Sequence, residues 1–382
     1  MSKPEVLRIA LFANTDWYLF NFRLSLAKRL RELGHELILL SPDGEFGLKL
    51  REMGFDWRPL PMDRRSLNPF AEARLVWRLA RILRDERIDI VHGFTIKPAV
   101  YGALAGRLAR VRGRVNAVAG MGYVFISNSL KARVLRPVVK TLARFAFDSR
   151  RARLIVQNPD DHAEFVGAGV VRPERVHIIP GSGVDLSRFA AVDRSRGADE
   201  PLRVLLAARM LWDKGLQEFI DAARQLHGEG RRIDFLLAGD PDAGNPASAS
   251  AEAITGWVEE GIVQWLGHVS DMAGLLATVD IVVLPSYREG LPKTLIEAAG
   301  CGLPLITTDV PGCREVVSDG VDGLLCPVRQ SAPLARAIAR LQDDPALARR
   351  LGQAARRKAM DLFDEKIVIA RTLAVYQEVL TA

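Results

Sequence analysis

The chain has 382 residues, 48% of them hydrophobic and 26% charged, and its formal net charge is +7 at pH 7. That length can supply two ordinary hydrophobic cores and suggests two or three domains. No apolar run approaches the roughly 18 residues that a membrane-spanning helix needs, and the first residues pass from a charged start straight into a strand, without the plan of a signal peptide. These features speak against an integral membrane protein and a secreted one, and they predict a cytosolic protein.

The cysteines do not indicate a metal site or a disulfide framework. Cys301, Cys313 and Cys326 are odd in number and lack the spacing of metal ligands. We expect them to be small buried hydrophobic side chains.

The positive charge lies in the first half of the chain. Residues 1–200 carry 34 Lys and Arg against 22 Asp and Glu, whereas residues 201–382 carry 19 against 24. The excess of basic over acidic residues is largest over residues 101–150, where ten Lys and Arg face one acid, Asp148. Such a patch attracts anionic lipid, nucleic acid or a diphosphate-bearing substrate, and a merely solvated basic face is the alternative.

Short apolar strands alternate with helical patterns along the first half. Helical patterns are clearest over residues 23–33 and 70–87. The predicted strands are residues 7–13, 36–40, 57–60, 88–91, 115–118 and 154–156. This alternation predicts a parallel, doubly wound α/β sheet.

A second run of the same kind follows a polar linker over residues 193–201 (DRSRGADEP). Helices are predicted from Ala332 onward. The predicted strands are residues 202–208, 234–238, 263–266, 281–284, 305–307 and 323–326. The fold class is therefore α/β with two doubly wound, Rossmann-like domains, residues 1–192 and residues 201–362.

Two carboxylates flank a predicted helix start in the second domain. The strand over residues 281–284 ends at Pro285, and the next helix is predicted to begin with Pro292, where a missing N–H costs nothing. Glu289 lies in the loop and Glu297 in the second helical turn. Because ligands bind at the carboxyl edge of parallel sheets and helix N-termini attract diphosphate, this arrangement can hold a nucleotide sugar.

These residues resemble a known family. Residues 286–298 (SYREGLPKTLIEA) look like the EX7E element of the family 4 retaining glycosyltransferases, which have the GT-B fold of two Rossmann-like domains facing across a cleft. Residues 208–215 (ARMLWDKG) resemble the arginine-to-lysine loop of that family, and residues 237–240 (LAGD) its strand-end glycine. The resemblance implies an acceptor-binding domain over residues 1–192, a nucleotide-sugar domain over residues 201–362, and a final helix over residues 363–382 that packs back on the first domain.

The second domain is expected to bind the donor. Arg209 follows a strand and Lys214 precedes a helix, a spacing that lets both cations converge on the leaving diphosphate without a metal or cofactor; surface cations are the alternative. By resemblance, Glu297 binds the ribose hydroxyls and Glu289 lies near the sugar ring. The other expected donor contacts are the amides of Gly290 and Leu291, the side chain of Lys293 in place of the N–H that Pro292 lacks, and a base-binding backbone at Gly267 and His268.

The first domain is expected to bind the acceptor, with weaker signals. It departs from the family in an aromatic loop over residues 14–23 and in Ala119–Gly122, where many members place a histidine. Three of the candidates have structural alternatives. His92 can be a structural residue, Asn158 can cap a helix, and Gly120 and Gly122 can form an ordinary turn. The candidate acceptor residues are Asn21, Arg23, His92, Thr95, Lys97, Gly120, Gly122 and Asn158.

The expected function is that of a retaining, metal-independent glycosyltransferase. Asn21–Arg23, residues 95–98, Gln157–Asn158 and residues 244–248 (GNPAS) resemble bacterial N-acetylgalactosaminyltransferases that act on undecaprenyl-diphosphate-linked sugars. The resemblance implies transfer of a hexose or N-acetylhexosamine, with N-acetylgalactosamine (GalNAc) as the expected sugar, from a UDP-sugar to a polyprenyl-diphosphate-linked saccharide. Such transfer would serve the assembly of a bacterial surface glycan or glycoprotein glycan.

Two alternatives are open. A UDP-N-acetylhexosamine epimerase of GT-B fold would share the architecture, although the EX7E element argues against it. A nucleic-acid-binding protein would explain the pI of about 9.5, but the motifs lie in the acidic half and no DNA- or RNA-binding motif is present.

A lipid-linked acceptor implies a peripheral position on the inner face of the cytoplasmic membrane. The segment over residues 128–147 combines apolar residues at helical spacing with five cations, and it predicts a contact of the basic first domain with an anionic membrane surface. Pro137 weakens the case for one straight helix, and a core-packed helix with solvated cations is the alternative.

Overall fold

The computed structural model describes residues 5–63, 68–118, 130–191, 197, 200–242 and 244–382, except for the side chains of residues 130–136 and 138. The chain divides into two compact units. Unit 1 comprises Met1–Ser182 and Val368–Ala382, and unit 2 comprises Gly183–Ile367.

Unit 1 is built on a parallel sheet, as its alternating pattern predicts. Its described strands are β1 (Arg8–Phe12), β2 (Glu36–Ser41), β3 (Asp56–Pro59), β4 (Ile90–Phe94), β5 (Gly113–Ala117), β6 (Ala152–Val156) and β7 (Val176–Ile178). They pair in the order β3-β2-β1-β4-β5-β6-β7, and every pairing is parallel. The sequence pattern missed β7, which has only three residues.

The first connection of unit 1 is helical and not the expected aromatic loop. Thr15 caps the turn, because its Oγ1 accepts a hydrogen bond of 3.0 Å from the Tyr18 N–H. The chain then continues through a π-helical turn, Leu19–Arg23. Before the C-terminal helix, the described helices of unit 1 are α1 (Asp16–Tyr18), α2 (Leu24–Glu32), α3 (Glu45–Glu52), α4 (Pro69–Asp85), α5 (Ile96–Leu108), α6 (Leu130–Phe147) and α7 (Pro159–Gly167).

The helices of unit 1 lie on both faces of its sheet. On one face, Leu75 and Leu79 of α4 share a core with Phe12 and Leu40 of the sheet. Helices α4, α5, α6 and α7 lie side by side on this face because right-handed crossovers connect β3 through β7. Helices α2 and α3 pack on the opposite face.

Unit 2 repeats the architecture. Its strands are β8 (Leu202–Ala207), β9 (Ile233–Ala238), β10 (Gln264–Trp265), β11 (Ile281–Leu284), β12 (Leu305–Thr308) and β13 (Leu324–Cys326). They form a parallel sheet in the order β10-β9-β8-β11-β12-β13. The helices are α8 (Leu216–Gly228), α9 (Ala251–Glu259), α10 (Met272–Leu276), α11 (Lys293–Gly300), α12 (Cys313–Val316), α13 (Ser331–Asp343) and α14 (Pro345–Lys358). The three cysteines are free and buried, as expected.

The boundary between the units lies earlier than the predicted linker. Unit 2 begins at Gly183, whereas the sequence placed the end of the first domain at residue 192. The reason is packing: Val184 and Phe189 are buried in the hydrophobic core of unit 2. Polar composition marks residues 193–201 but does not show which core the preceding apolar residues enter.

The last helix, α15 (Glu365–Thr381), closes unit 1. Val368, Val375 and Val379 are buried in the core under α2 and α3. The Tyr376 hydroxyl lies 2.8 Å from Nδ1 of His92, a residue of β4 that is 284 positions earlier. No described helix is both long and apolar enough to cross a membrane.

Replacing Tyr376 with Phe removes the hydroxyl partner of the buried His92 ring. We expect the free energy of unfolding to fall by about 1–3 kcal/mol, the usual cost of leaving a buried polar group unsatisfied. Urea denaturation measures this change. The control is Gln377→Ala, at an exposed position of the same helix, which should change stability by less than about 0.5 kcal/mol. Equal stability of Tyr376→Phe and wild type would show that the contact contributes nothing.

Candidate active site

An ion pair connects two loops at the carboxyl edge of the unit 2 sheet. Lys214 Nζ lies 2.6 Å from Glu289 Oε1. The two side chains are only 16% and 13% exposed. Lys214 follows β8 and Glu289 follows β11, which are neighbours in the sheet. The pair therefore lies where strand order reverses, the usual ligand site of such folds.

Ser286 strengthens the same connection. Its hydroxyl donates to Glu289 Oε1 at 2.7 Å and lies 3.1 Å from the carbonyl oxygen of Asp213. The Tyr287 N–H donates to that same carbonyl at 2.8 Å. Two side chains and one amide thus fix the Glu289 carboxylate and the Lys214 loop together.

Glycines allow the close approach of these loops. Gly215 has a φ of 77°, and a Cβ there would collide with the carbonyl oxygen of Pro285. A Cβ at Gly312 would lie 2.5 Å from the carbonyl oxygen of Glu289. Both positions need glycine because backbone occupies the space of a side chain.

The loop after β11 is held from its outer side as well. The Tyr287 hydroxyl donates to the Glu218 carboxylate at 2.8 Å, and the Arg329 guanidinium lies 4.4 Å from the Tyr287 ring centroid. Burial and Glu218 raise the pKa of Tyr287 to about 12. Thr308 Oγ1 donates to the carbonyl oxygen of Ser286. These contacts hold the segment that carries Glu289.

Glu297 is buried in α11 with 7% of its surface exposed. Burial raises the pKa of its carboxyl above the ordinary value, and the charges of Lys293 and Arg188 oppose that shift. Lys293 Nζ lies 3.7 Å from Glu297 Oε1. Pro292 precedes the helix and is not its first residue, because α11 begins at Lys293. A buried carboxyl at this helix start can accept hydrogen bonds from hydroxyl groups.

Arg209 does not converge with Lys214 among the described contacts. Its side chain is 62% exposed, and its Nη1 lies 2.8 Å from Asp242 Oδ2. Asn245 also donates to that carboxylate, at 3.1 Å. The expectation that both cations converge on a diphosphate stays a prediction; in the structure each cation pairs with its own acid.

The remaining donor candidates line the same strand ends. Gly290 and Leu291 are half-buried in the Glu289 loop, and Leu291 packs against the core. Gly267 has a φ of 61° and accepts the Gly239 N–H at 2.7 Å, while His268 is exposed. The structure thus places them at the ends of β10 and β11.

Two acceptor candidates of unit 1 form a buried polar cluster. Arg23 donates to the Tyr18 hydroxyl at 2.9 Å, and its guanidinium lies 4.4 Å from the Phe94 ring centroid. His92 is 1% exposed, and burial and the charge of Arg23 hold its pKa well below the ordinary value. Arg23 Nε and His92 Nε2 are buried without a hydrogen-bond partner in the described part of the chain. Both residues line a small cavity with Gln157.

Other acceptor candidates have structural partners. Lys97 pairs with Glu72 at 2.8 Å, and both side chains are 15% exposed. Asn158 is fully buried and caps α7, since its side chain accepts the Asp161 N–H at 2.7 Å. Asn158 therefore has the helix-capping role that was the alternative to acceptor binding.

Asn21 and Thr95 are held by the backbone. Asn21 donates to the Trp17 carbonyl at 3.0 Å. Thr95 precedes α5 with a φ of 69°, uncommon for a residue with a side chain. Gly120 and Gly122 lie outside the described residues.

Ser286, Arg188 and the Tyr287–Glu218 contact were not predicted from the sequence. A signal existed for Ser286, because it directly follows the strand-ending Pro285. Arg188 precedes the predicted linker, and nothing in the sequence connects it with Glu297. Among the described residues, no group of three His, Cys, Asp or Glu is placed to hold a metal ion.

Comparison with protein families assigns both units. Residues 201–344 match "Glycosyl transferases group 1", and residues 22–181 match "Glycosyl transferase 4-like domain".

Two relatives carry specific names. The N,N'-diacetylbacillosaminyl-diphospho-undecaprenol alpha-1,3-N-acetylgalactosaminyltransferase of Campylobacter jejuni is 30% identical, over 98% of this chain and 99% of its own. The UDP-Gal:alpha-D-GlcNAc-diphosphoundecaprenol alpha-1,3-galactosyltransferase of Escherichia coli is 27% identical over 74% of each chain.

Solved structures share the fold. A glycosyltransferase from Rickettsia africae has a TM-score of 0.79 and 19% identity, covering 99% of each chain. Anabaena HepE in complex with UDP-glucose has a TM-score of 0.76 and 22% identity, covering 96% of this chain and 99% of its own. These likenesses confirm the expected GT-B fold.

The Lys214–Glu289 pair should show a measurable coupling energy. In a double-mutant cycle of Lys214→Met and Glu289→Gln, we expect about 1–2 kcal/mol, between the values for exposed and buried pairs. Urea denaturation of the four proteins gives the cycle. The matched control is Arg224–Glu260, at 2.7 Å with 39% and 48% exposure, which should give less than about 0.5 kcal/mol. Equal coupling in both cycles would contradict the shielded character of the Lys214 pair.

Glu297 should cost stability at neutral pH when no ligand is bound. The pKa of Glu297 is higher in the folded state than in the unfolded state. The contribution of Glu297 to the free energy of unfolding is therefore fully present below the unfolded-state pKa of about 4.3, and it is lost as pH rises through the folded-state pKa. Glu297→Gln should therefore be more stable than wild type at pH 7 but not at pH 4. Urea denaturation at both pH values tests this, and a variant less stable at pH 7 would contradict it.

Proposed function

The chain belongs to the glycosyltransferase family that carries these two domains, and we propose that it transfers a hexose or N-acetylhexosamine from a UDP-sugar to a polyprenyl-diphosphate-linked saccharide. The observation that carries this proposal is the shielded Lys214–Glu289 pair at the switch point of the unit 2 sheet. A cation at this position can contact the diphosphate of a nucleotide sugar, and a carboxylate fixed beside it can accept hydrogen bonds from the sugar.

The acceptor class follows from the relatives. The names of the Campylobacter jejuni and Escherichia coli relatives both specify sugars linked to undecaprenyl diphosphate. We propose GalNAc as the transferred sugar, since the Campylobacter jejuni relative matches nearly the whole chain. The product would enter the assembly of a surface glycan or glycoprotein glycan.

Unit 2 binds the donor in this proposal. Lys214 stabilises the negative charge that develops on the departing diphosphate, an effect worth about 3–4 kcal/mol for comparable donors. Arg209 assists after exchanging Asp242 for a phosphate, which its exposed position permits. No metal ion is needed for this stabilisation.

The two glutamates divide the rest of the donor. Glu297 accepts the ribose hydroxyls and Glu289 contacts the sugar ring. The backbone N–H groups of Gly290 and Leu291 point at the diphosphate, with Lys293 beside them. The backbone at Gly267 and His268 holds the base.

The transfer retains the anomeric configuration in this proposal. The acceptor hydroxyl attacks the anomeric carbon from the face that the diphosphate leaves. The bond from that carbon to the β-phosphate oxygen breaks as the new glycosidic bond forms, and the departing oxygen takes the acceptor proton. Unit 1 positions the acceptor through the region of Arg23 and His92.

The alternatives find less support. An epimerase would not need an acceptor, and the relatives described above are named as transferases. Nucleic-acid binding would leave the donor motifs in unit 2 unexplained. We propose a cytoplasmic protein, peripheral on the inner face of the membrane, because a polyprenyl acceptor is confined to the bilayer.

The roles of the two glutamates predict different effects on UDP binding. Glu297→Gln should weaken UDP by about tenfold, because an amide replaces a carboxylate that accepts two hydroxyl donors. Glu289→Gln should leave UDP affinity within about threefold and lower kcat by about 100-fold. Calorimetry with UDP and steady-state kinetics measure these effects. Equal losses of UDP affinity in both variants would show that the roles are assigned wrongly.

The proposal as a whole predicts a nucleotide preference. UDP should raise the Tm more than GDP, ADP or TDP at equal concentration, because a ligand of the folded state stabilises it by mass action. Transfer should then be measured with UDP-GalNAc, UDP-GlcNAc, UDP-Gal and UDP-Glc and a polyprenyl-diphosphate-linked saccharide. Stabilisation by none of the four nucleotides would overturn the donor assignment.

A further inference from the structure

Helix α4 exposes two large aromatic side chains. Phe70 is 86% exposed and Trp77 is 63% exposed. Scattered apolar residues at a surface are ordinary, but two large aromatic rings on one helix form a patch that indicates a partner.

Arginines accompany these rings on one face of the helix. At 3.6 residues per turn, Phe70 and Trp77 lie two turns apart, and three arginines project within about 100° of them. All five side chains are exposed. This surface, called the α4 face, comprises Phe70, Arg74, Trp77, Arg78 and Arg81. The opposite side of the helix, with Leu75 and Leu79, is buried in unit 1.

The acids of α4 neutralise little of this charge. Glu72 is 15% exposed and pairs with Lys97, away from the α4 face. Asp85 lies 3.5 Å from Arg81, and both side chains are more than 60% exposed. Exposed pairs of this kind are weak and are screened by salt.

The α4 face begins beside the carboxyl edge of the unit 1 sheet. Lys97, three residues after β4 ends, donates to the Asp63 carbonyl at 2.6 Å and pairs with Glu72 in the first turn of α4. Phe70 is therefore near the edge at which α/β sheets bind ligands. Helix α6 lies in the same helical layer, and its Leu142 is 43% exposed.

We infer that the α4 face docks unit 1 on an anionic lipid bilayer. Trp77 and Phe70 insert at the level of the headgroups, where aromatic rings are favoured, and the arginines contact lipid phosphates. The inference rests on the proposed lipid-linked acceptor and adds the surface that meets the membrane. It moves the main contact from residues 128–147, where the sequence placed it, to α4.

Lipid suits the α4 face better than nucleic acid. Surfaces that bind single-stranded nucleic acid combine cations and stacking rings within a groove that follows the backbone, whereas the side chains of the α4 face lie along the exposed side of one helix. A bilayer offers both an apolar layer and a layer of phosphates. The aromatic rings can enter the apolar boundary while the long arginine side chains reach the phosphates.

Co-sedimentation with vesicles tests the inference without any substrate. The probes are phosphatidylcholine vesicles and phosphatidylcholine vesicles with about one-third phosphatidylglycerol, at low and high salt. The variants are Phe70→Ser/Trp77→Ser and Arg74→Gln/Arg78→Gln/Arg81→Gln. The matched control is Leu48→Ser, a 54% exposed apolar residue of α3 on the other face.

Wild type should bind the anionic vesicles, more weakly at high salt. The aromatic variant should bind at least about tenfold more weakly, the arginine variant should lose the preference for anionic vesicles, and Leu48→Ser should bind within about twofold of wild type. UDP binding should be unchanged in all of them, so a failure here is separate from a failure of the proposed function.

Fluorescence supplies a second test that does not depend on a destabilising change. Brominated lipids should quench part of the wild-type tryptophan emission, and Trp77→Phe should lose that quenching while still binding. The inference is overturned if wild type does not bind anionic vesicles, if the aromatic variant binds as well as Leu48→Ser, or if quenching persists in Trp77→Phe. Stronger binding to DNA than to anionic vesicles would also overturn it.

Discussion

The rest of the proposed donor site depends on the ion pair between Lys214 and Glu289, which is largely shielded from solvent. The pair joins the loops that leave β8 and β11, the two strands between which the order of the sheet reverses. Glu289 Oε1 receives both the Lys214 ammonium and the Ser286 hydroxyl, so the carboxylate is fixed before any ligand arrives. Side chains that are already fixed lose little further entropy when a ligand binds. Gly215 and Gly312 let the loops meet, because backbone atoms occupy the space that a side chain would need at both positions.

Glu297 shows the opposite electrostatic condition. Glu289 is stabilised by a close cation, whereas Glu297 is buried with Lys293 Nζ 3.7 Å away and has a raised pKa. Two carboxylates eight positions apart thus differ in environment, and environments of this kind are how one site obtains two chemical roles. A carboxyl whose nearby cations do not offset the effect of its burial costs stability, as is common where function and stability compete.

The sequence predicted both sheets, the positions of Lys214 and Glu289 after strand ends, and the position of Glu297 in the second turn of the following helix. It could do so because apolar periodicity and strand-end loops are local signals. It did not predict contacts that depend on distant packing. His92 bonds Tyr376, 284 positions away, and Arg209 pairs with Asp242 in another loop. Apolar periodicity predicted helix α4 but not the exposure of Phe70 and Trp77. Periodicity shows which side of a helix is apolar, but it does not show which apolar side chains the rest of the fold leaves exposed to solvent. The boundary at Gly183 was missed for a related reason, since the residues that follow it are apolar enough for either core.

The most direct test of the proposed donor site is a crystal structure of the protein with UDP bound. We expect the diphosphate at the ends of β8 and β11, with a phosphate oxygen within hydrogen-bond distance of Lys214 Nζ and a ribose hydroxyl within that distance of the Glu297 carboxyl. UDP bound away from both side chains, or with its ribose far from Glu297, would show that the donor site is assigned wrongly.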